Sequence, residues 1–357
     1  MKLKKIAAFV AALALMGVSL TANAATSRVA GNDRFETAAA ISAKYWPGQA
    51  RQVFIASGLN FPDAMSLGPV AAAAQSPILL VNNTIPPSTR AELLRMKPAK
   101  LYMAGGPAAI PLAVEAELNM LLPGVSIERA SGKDRHATSA AVAELGLRLQ
   151  AQGVARFADG GKGIVLAPAE DFWMVQGPSA YAASVGFTLV TTAQDHLSFE
   201  VKAFIERHKP GSIHALGSEH IMSDAAVWSA FLAAGFKNND SQACATGERP
   251  FENGCDNIFR NALYDQDAYE FSYMQMMSPL QTAVWVNDQD YPDALAATPL
   301  VTKLWKEGTV LLLPANTHCT TTRNWADGDW PMFTQPGVII GGPNAIAEGA
   351  LLRGCVS

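Results

Sequence analysis

The chain has 357 residues, carries 27 Lys+Arg against 31 Asp+Glu for a net charge of −4, and is 49% hydrophobic and 16% charged. That length exceeds one ordinary core, so two or three modules are expected, and so apolar a composition excludes disorder throughout. No basic stretch dominates, which argues against a nucleic-acid partner.

At the start, Lys2, Lys4 and Lys5 precede an apolar run from Ile6 to Leu20, followed by Thr21-Ala22-Asn23-Ala24. A charged head, a short apolar run and an A-x-A site predict a signal peptide over residues 1–24, cleaved after Ala24. The run falls short of the ~20 residues that a membrane span needs. Three lysines leave with it, taking the net charge from −4 to −7. The mature chain is expected to be secreted, into the cell wall or the periplasm, without a transmembrane segment.

Next comes Gly31-Asn32-Asp33-Arg34-Phe35-Glu36-Thr37, in which Asp33 stands three residues before Glu36, the spacing of a capping box and a helix start. A strand follows at Val53-Phe-Ile-Ala. Asn60-Phe61-Pro62-Asp63 then opens an Ala-rich helix, with Asn60 as the expected N-cap, Pro62 in the first turn and Asp63 at the positive end. Residues 64–81 are uncharged, but Pro77 would break any long helix, so they read as a buried helix, a turn and the buried strand Ile78–Val81. Gly105-Gly106-Pro107 marks a turn between a strand and the next helix.

These features recur. Arg28-Val-Ala-Gly31-Asn-Asp33-Arg34 returns 101 residues later as Arg129-Ala-Ser-Gly132-Lys-Asp134-Arg135, each followed by a threonine, Thr37 and Thr138. Asn60-Phe61-Pro62-Asp63-Ala64 is echoed by Asp290-Tyr291-Pro292-Asp293-Ala294, and Gly105-Gly106-Pro107 by Gly341-Gly342-Pro343. A worn glycine turn sits at Gly217. The repeats divide the mature chain into module 1 (25–125), module 2 (126–240) and module 3 (241–357). Strand-length apolar runs alternating with helical stretches predict an α/β fold of three repeated parallel-sheet modules packed together.

G-x-D-R-x-x-T-A, then A-S-G-x-N-F-P-D-A, P-I-L-L and G-G-P-x-A-I, in this order, resemble the cell wall binding repeat 2 family. The resemblance implies three α/β modules in a pseudo-threefold arrangement that bind an anionic cell wall polymer or envelope glycan non-covalently and without catalysis; no cofactor or metal is expected, since the four cysteines lack the CxxC spacing of a zinc site. It carries ligand-binding roles onto Asp33, Arg34, Thr37, Asn60 and Asp63 in the first copy, Asp134, Arg135 and Thr138 in the second, and Asp290 and Asp293 in the third. Arg34 either donates to a phosphate or carboxylate of the polymer or pairs with an internal carboxylate such as Asp63; helix-start chemistry alone accounts for Asp33. The later copies are degenerate: module 2 has Asp171-Phe-Trp-Met where module 1 has Asn-Phe-Pro-Asp, and Pro250 and Asn253 stand at the Arg34 and Thr37 positions of module 3.

Four cysteines, Cys244, Cys255, Cys319 and Cys355, fall in the last third. Export makes disulfides the default, and Cys244–Cys255 with Cys319–Cys355 is the favoured pairing of the three possible. The competing functions are a wall hydrolase, an amidase modifier and a periplasmic solute receptor. Ser57 lacks the glycine of a G-x-S-x-G elbow, and the six histidines, among them His136, His196, His214 and His220, form no H-E-x-x-H. Trp173, Tyr181, Trp285, Tyr291, Trp325 and Trp330 would be the rings available to stack on sugars.

Overall fold

The computed structural model describes residues 27–217, 220–236, 258–261, 280–286, 293–304, 309–314 and 338–343. The expected signal peptide, the four cysteines, Asp290, Pro250 and Asn253 lie outside the described residues.

In chain order the elements are β1 (Ser27–Val29), α1 (Arg34–Tyr45), β2 (Gln52–Ser57), α2 (Pro62–Ala73), β3 (Ile78–Val81), α3 (Pro87–Met96), β4 (Lys100–Ala104), α4 (Leu112–Leu121), β5 (Ser126–Ala130), α5 (Arg135–Ala151), β6 (Gly163–Pro168), α6 (Phe172–Val185), β7 (Thr188–Thr192), α7 (Phe199–His208), β8 (Ser212–Leu216) and α8 (Asp224–Ala234). Then follow β9 (Ile258–Asn261), β10 (Leu280–Val286), a 3-10 turn at Ala294–Ala296, the short α9 (Leu300–Lys303), β11 (Thr309–Pro314) and β12 (Val338–Ile340). They build three four-stranded parallel sheets, ordered β3-β2-β4-β5, β7-β6-β8-β9 and β11-β10-β12-β1. Ile78–Val81 and Val338–Ile340 are buried along their whole length, as runs covered on both faces must be.

The first and third sheets take their last strand from the residues just before a G-x-D-R motif, and the second takes β9 from within module 3. β5, which carries Arg129, pairs with β4, so the second G-x-D-R motif leaves from the edge of the first sheet. β1 pairs in register with β12, Ser27 opposite Val338 and Val29 opposite Ile340, so the first motif leaves from the third sheet. The helices after β1 and β5 cross to a neighbouring sheet: α1 packs on β3 and α5 on β7. Sequence repeats and sheets are therefore out of phase by one strand, which knits the modules together.

At the centre α2, α6 and residues 293–304 meet. Gly68, Ser179 and Thr298 hold matching places and converge: a Cβ on Gly68 would lie 2.7 Å from Thr298 Cγ2 and 2.8 Å from Ser179 Oγ. The Ala- and Gly-rich sequence of α2 permits this approach, and ten of its twelve residues are buried. Pro69 sits inside α2 and brings no N–H, so the carbonyl of Met65 loses its helical donor. Ser179 Oγ of α6 supplies the replacement, donating to Met65 O at 2.7 Å. Thr302 Oγ1 donates to Ala72 O at 2.9 Å, alongside the amide of Gln75. The helix defect in one module is repaired by a neighbouring one.

Candidate functional site

The G-x-D-R loop is set by its glycine. A Cβ on Gly31 would stand 2.1 Å from Glu36 Cβ, and one on Gly132 2.3 Å from Ala137 Cβ, so only glycine lets the loop fold over the first helical turn. Gly31 N–H donates to Thr37 Oγ1 at 3.0 Å, and Gly132 N–H to Thr138 Oγ1 at 3.1 Å. Asp33 Oδ1 accepts from the amides of Phe35 (2.9 Å) and Glu36 (2.8 Å), and Asp134 Oδ1 from that of Ala137 at 2.8 Å. Glu36 does not close the box onto Asp33; it accepts from Asn32 N (2.9 Å) and Nδ2 (2.7 Å). Asp33, Thr37, Asp134 and Thr138 thus form the frame that aims Arg34 and Arg135.

Both arginines reach the turn after the first strand of a neighbouring sheet. Arg34 Nη1 donates to Gly58 O at 2.5 Å; Arg135 Nη1 donates to Ala169 O at 2.5 Å and Glu170 O at 3.3 Å. These turns stand at the carboxyl ends of the strands. There the chain leaves β2 for β3 on one side and β4 on the other, the switch point at which open α/β sheets take ligands.

The cation that acts on Asp63 is Arg135, not Arg34. Burial pushes the Asp63 carboxyl up to about 6, with the Arg135 guanidinium opposing the rise. No hydrogen bond from the described residues offsets that burial. The carboxylate lies against Gly105, φ +109, where an added Cβ would stand 2.5 Å from Asp63 Oδ2; the glycine turn after β4 makes room for it. Phe61, two residues before, has its ring 6.0 Å from the Arg135 guanidinium and 5.9 Å, edge-on, from Phe172. Asp63 and Phe61 come from the first sheet, Phe172 from the second, and Arg135 spans the seam between them.

Asn60 is exposed and is not the N-cap. The cap is Phe61, already in helical conformation and without a side-chain cap, because Pro62 fills the first position and removes an amide that would need one. Asp293 precedes the 3-10 turn of the third module and is half-buried. Of the aromatic candidates, Tyr181 belongs to the core: its hydroxyl meets His214 Nδ1 at 2.6 Å, and burial pushes the phenol up and the imidazole down to about 4. Ser57 is buried and its Oγ accepts from Leu59 N at 3.2 Å. Among the described residues no cluster of three His, Cys, Asp or Glu could hold a metal ion.

Two working residues escaped the reading of the sequence. Arg28 Nη1 donates to Gly341 O at 2.6 Å, and Arg129 Nη1 to Gly105 O at 2.7 Å, each clamping a glycine turn. Their recurrence at the head of both G-x-D-R copies was the available signal.

The same stretch is recognised by comparison with known proteins: residues 28–115 match Cell wall binding domain 2 (CWB2). This segment is a CWB2 domain. The chain is 30% identical over 124 residues to the N-acetylmuramoyl-L-alanine amidase LytC of Bacillus subtilis (strain 168), a match covering 34% of this chain and 24% of that protein. It is 25% identical over 203 residues to the amidase enhancer of the same organism, covering 57% and 26%. The match thus spans about a quarter of each of these relatives. In three dimensions the chain resembles Cwp6 from Clostridium difficile, with a TM-score of 0.70 at 19% identity, and Cwp8 from the same organism, with 0.68 at 19%. These likenesses cover 91% and 92% of this chain but 46% and 51% of those, so the shared fold extends over nearly all of this chain. A CWB2 domain supports a cell-wall-associated binding role. No helix among the described residues is long and apolar enough to cross a membrane.

Proposed function

We propose that the protein is an exported, non-catalytic envelope protein that attaches non-covalently to an anionic wall polymer or glycan, gripping it at the strand ends around Arg34, Asp63 and Arg135. The observation that carries this reading is the CWB2 match over residues 28–115, which includes both Arg34 and Asp63. The site's chemistry supports it: two guanidinium groups offer charge-assisted donors, and a largely buried carboxylate stands beside them to accept from sugar hydroxyls. The net charge of −7 expected of the mature chain gives no overall attraction to a polyanion, so capture would depend on these local donors and on repetition along the polymer. The buried hydroxyl of Ser57 speaks against a serine nucleophile at the strand end. The amidase and the amidase enhancer share with this chain about a quarter of their length. This fits a shared wall-attachment part better than a shared activity.

The test is co-sedimentation of the purified mature chain with intact and polymer-stripped cell envelopes. The protein should pellet with intact material only, and Arg34→Ala should weaken pelleting roughly ten-fold without unfolding, the loss of one charge-assisted contact. Equal pelleting on stripped envelopes, or sustained release of soluble fragments from purified peptidoglycan, would contradict the proposal.

A further inference from the structure

The register of the three borrowed strands fixes which residues face each other across the seams between sheets. In β1, Arg28 lies opposite Ile339, two residues before Gly341; in β5, Arg129 lies opposite Met103, two before Gly105; in β9, Arg260 lies opposite Ala215, two before Gly217. All three glycines have positive φ, +117°, +109° and +149°. The three strands are therefore equivalent, and the same step of six residues leads from Arg28 to Arg34, from Arg129 to Arg135 and from Arg260 to Gln266. The repeat count from sequence, which set Pro250 at the arginine position of the third module, thus moves to Gln266, itself outside the described residues.

The aspartate positions follow from the centre of the molecule. Gly68, Ser179 and Thr298 converge there, and five residues before each stand Asp63, Met174 and Asp293. Two seams are built alike. Between the first and second sheets α2, which Asp63 helps to open, packs on α5; a Cβ on Gly106 would lie 3.9 Å from Gly132 O, and Arg135 Nη1 reaches Ala169 O at 2.5 Å. Between the third and first sheets the 3-10 turn after Asp293 packs on α1; a Cβ on Gly342 would lie 3.9 Å from Gly31 O, and Arg34 Nη1 reaches Gly58 O at 2.5 Å. At the seam between the second and third sheets the aspartate position holds Met174 and the arginine position Gln266, so both charges are lost together.

We propose that the chain holds an anionic polymer at two sites, the seam of Arg135 with Asp63 and the seam of Arg34 with Asp293, and that its third seam is blank. The proposal rests on the wall-polymer reading above and adds the number and make-up of its sites, assigning Arg34 and Asp63 to different ones. Joint loss is what a working pair demands, because either charge left alone in a half-buried seam is penalised. A guanidinium carries five N–H donors in a planar fork, enough for a backbone carbonyl, a carboxylate and one oxyanion of a ligand at once. The carboxylate beside it accepts from hydroxyls. Each seam therefore suits a chain in which phosphates or carboxylates alternate with hydroxyl-bearing units, and two seams on one body let a repetitive polymer engage twice.

Co-sedimentation of the purified mature chain with intact envelopes tests the count. Arg34→Gln and Arg135→Gln copy the residue at the third seam and keep an N–H for the carbonyl that each arginine holds, so circular dichroism should report folded proteins. Each should weaken pelleting roughly ten-fold, the loss of one charge-assisted contact, and the two together roughly a hundred-fold, as separate sites add. Gln266→Ala should pellet like wild type. Should a glutamine variant fail to fold, the lysine variant at the same position, which keeps the charge but not the fork, should still weaken pelleting. A folded variant of Arg34 or Arg135 that pellets like wild type would overturn the two-site count. So would a double variant no weaker than the single ones, or a ten-fold loss from Gln266→Ala. With the wild-type chain still pelleting on intact envelopes alone, these results would leave wall attachment standing; its failure to pellet there would overturn that reading itself.

Discussion

Asp63 offers a sharp energetic test, because its environment penalises the charge it carries at neutral pH. Its folded value is about 6 against an ordinary 3.8. A raised folded value means that the neutral acid is preferred in the fold: the associated stability is complete below about pH 3.8 and is lost as pH rises through about 6. Two units at 1.36 kcal/mol each make this loss about 3 kcal/mol by pH 7.5. Asp63→Asn keeps the shape and removes the ionisation. Urea unfolding followed by circular dichroism should place the variant about 2–3 kcal/mol above wild type at pH 7.5, with the gap closing towards pH 4. A variant less stable than wild type at pH 7.5, or a gap that does not change with pH, would refute the reasoning. Asp63 would then be a stabilising helix-end charge. A stability gain accompanied by weaker envelope pelleting would mark a carboxylate kept for function at the expense of the fold.

Other positions give equally direct tests. Ser179→Ala removes the donor to Met65 O and leaves a buried carbonyl unsatisfied, which should cost about 1–3 kcal/mol in urea unfolding. Gly68→Ala forces a methyl to within 2.7 Å of Thr298 Cγ2 and should lower the melting temperature by several degrees, the consequence of an overpacking cost of about 1–3 kcal/mol. Thr37→Val strands the Gly31 amide and should cost about 1–2 kcal/mol, with Thr37→Ser restoring most of it. His214 is held down to about 4 by burial, so the stability it gives is present above its ordinary value of 6.5 and is lost as pH falls towards 4. His214→Phe should flatten the acid limb of a melting-temperature profile, and an unaltered limb would place the acid sensitivity elsewhere.

Local chemistry made much of this fold readable in advance. The aspartate of G-x-D-R marks a helix start, and the helix does begin at Arg34, although Glu36 turns to Asn32 instead of closing the box and Thr37 proves to hold the Gly31 amide. The buried strand Ile78–Val81 and the break at Pro77 were equally visible. Hidden was whatever depended on partners far away in sequence. Asp63 looked like a mate for Arg34, the arginine of its own repeat, but the strand exchange between sheets brings up Arg135 instead. The capping role expected of Asn60 passed to Phe61, because Pro62 removes the amide that a cap would have satisfied. Arg28 and Arg129 were in plain view at the head of each repeat, but their task of clamping a glycine turn exists only once β1 lies beside β12 and β5 beside β4.

The pairing of β1 with β12 bears on how this molecule would carry load. With the first of the described strands sewn into the same sheet as the last, the described body closes on itself like a clasped bracelet. Tension applied near residue 27 would have to shear parallel β-ladder rungs together rather than unzip them singly. That is a suitable property for anything moored to a surface under flow.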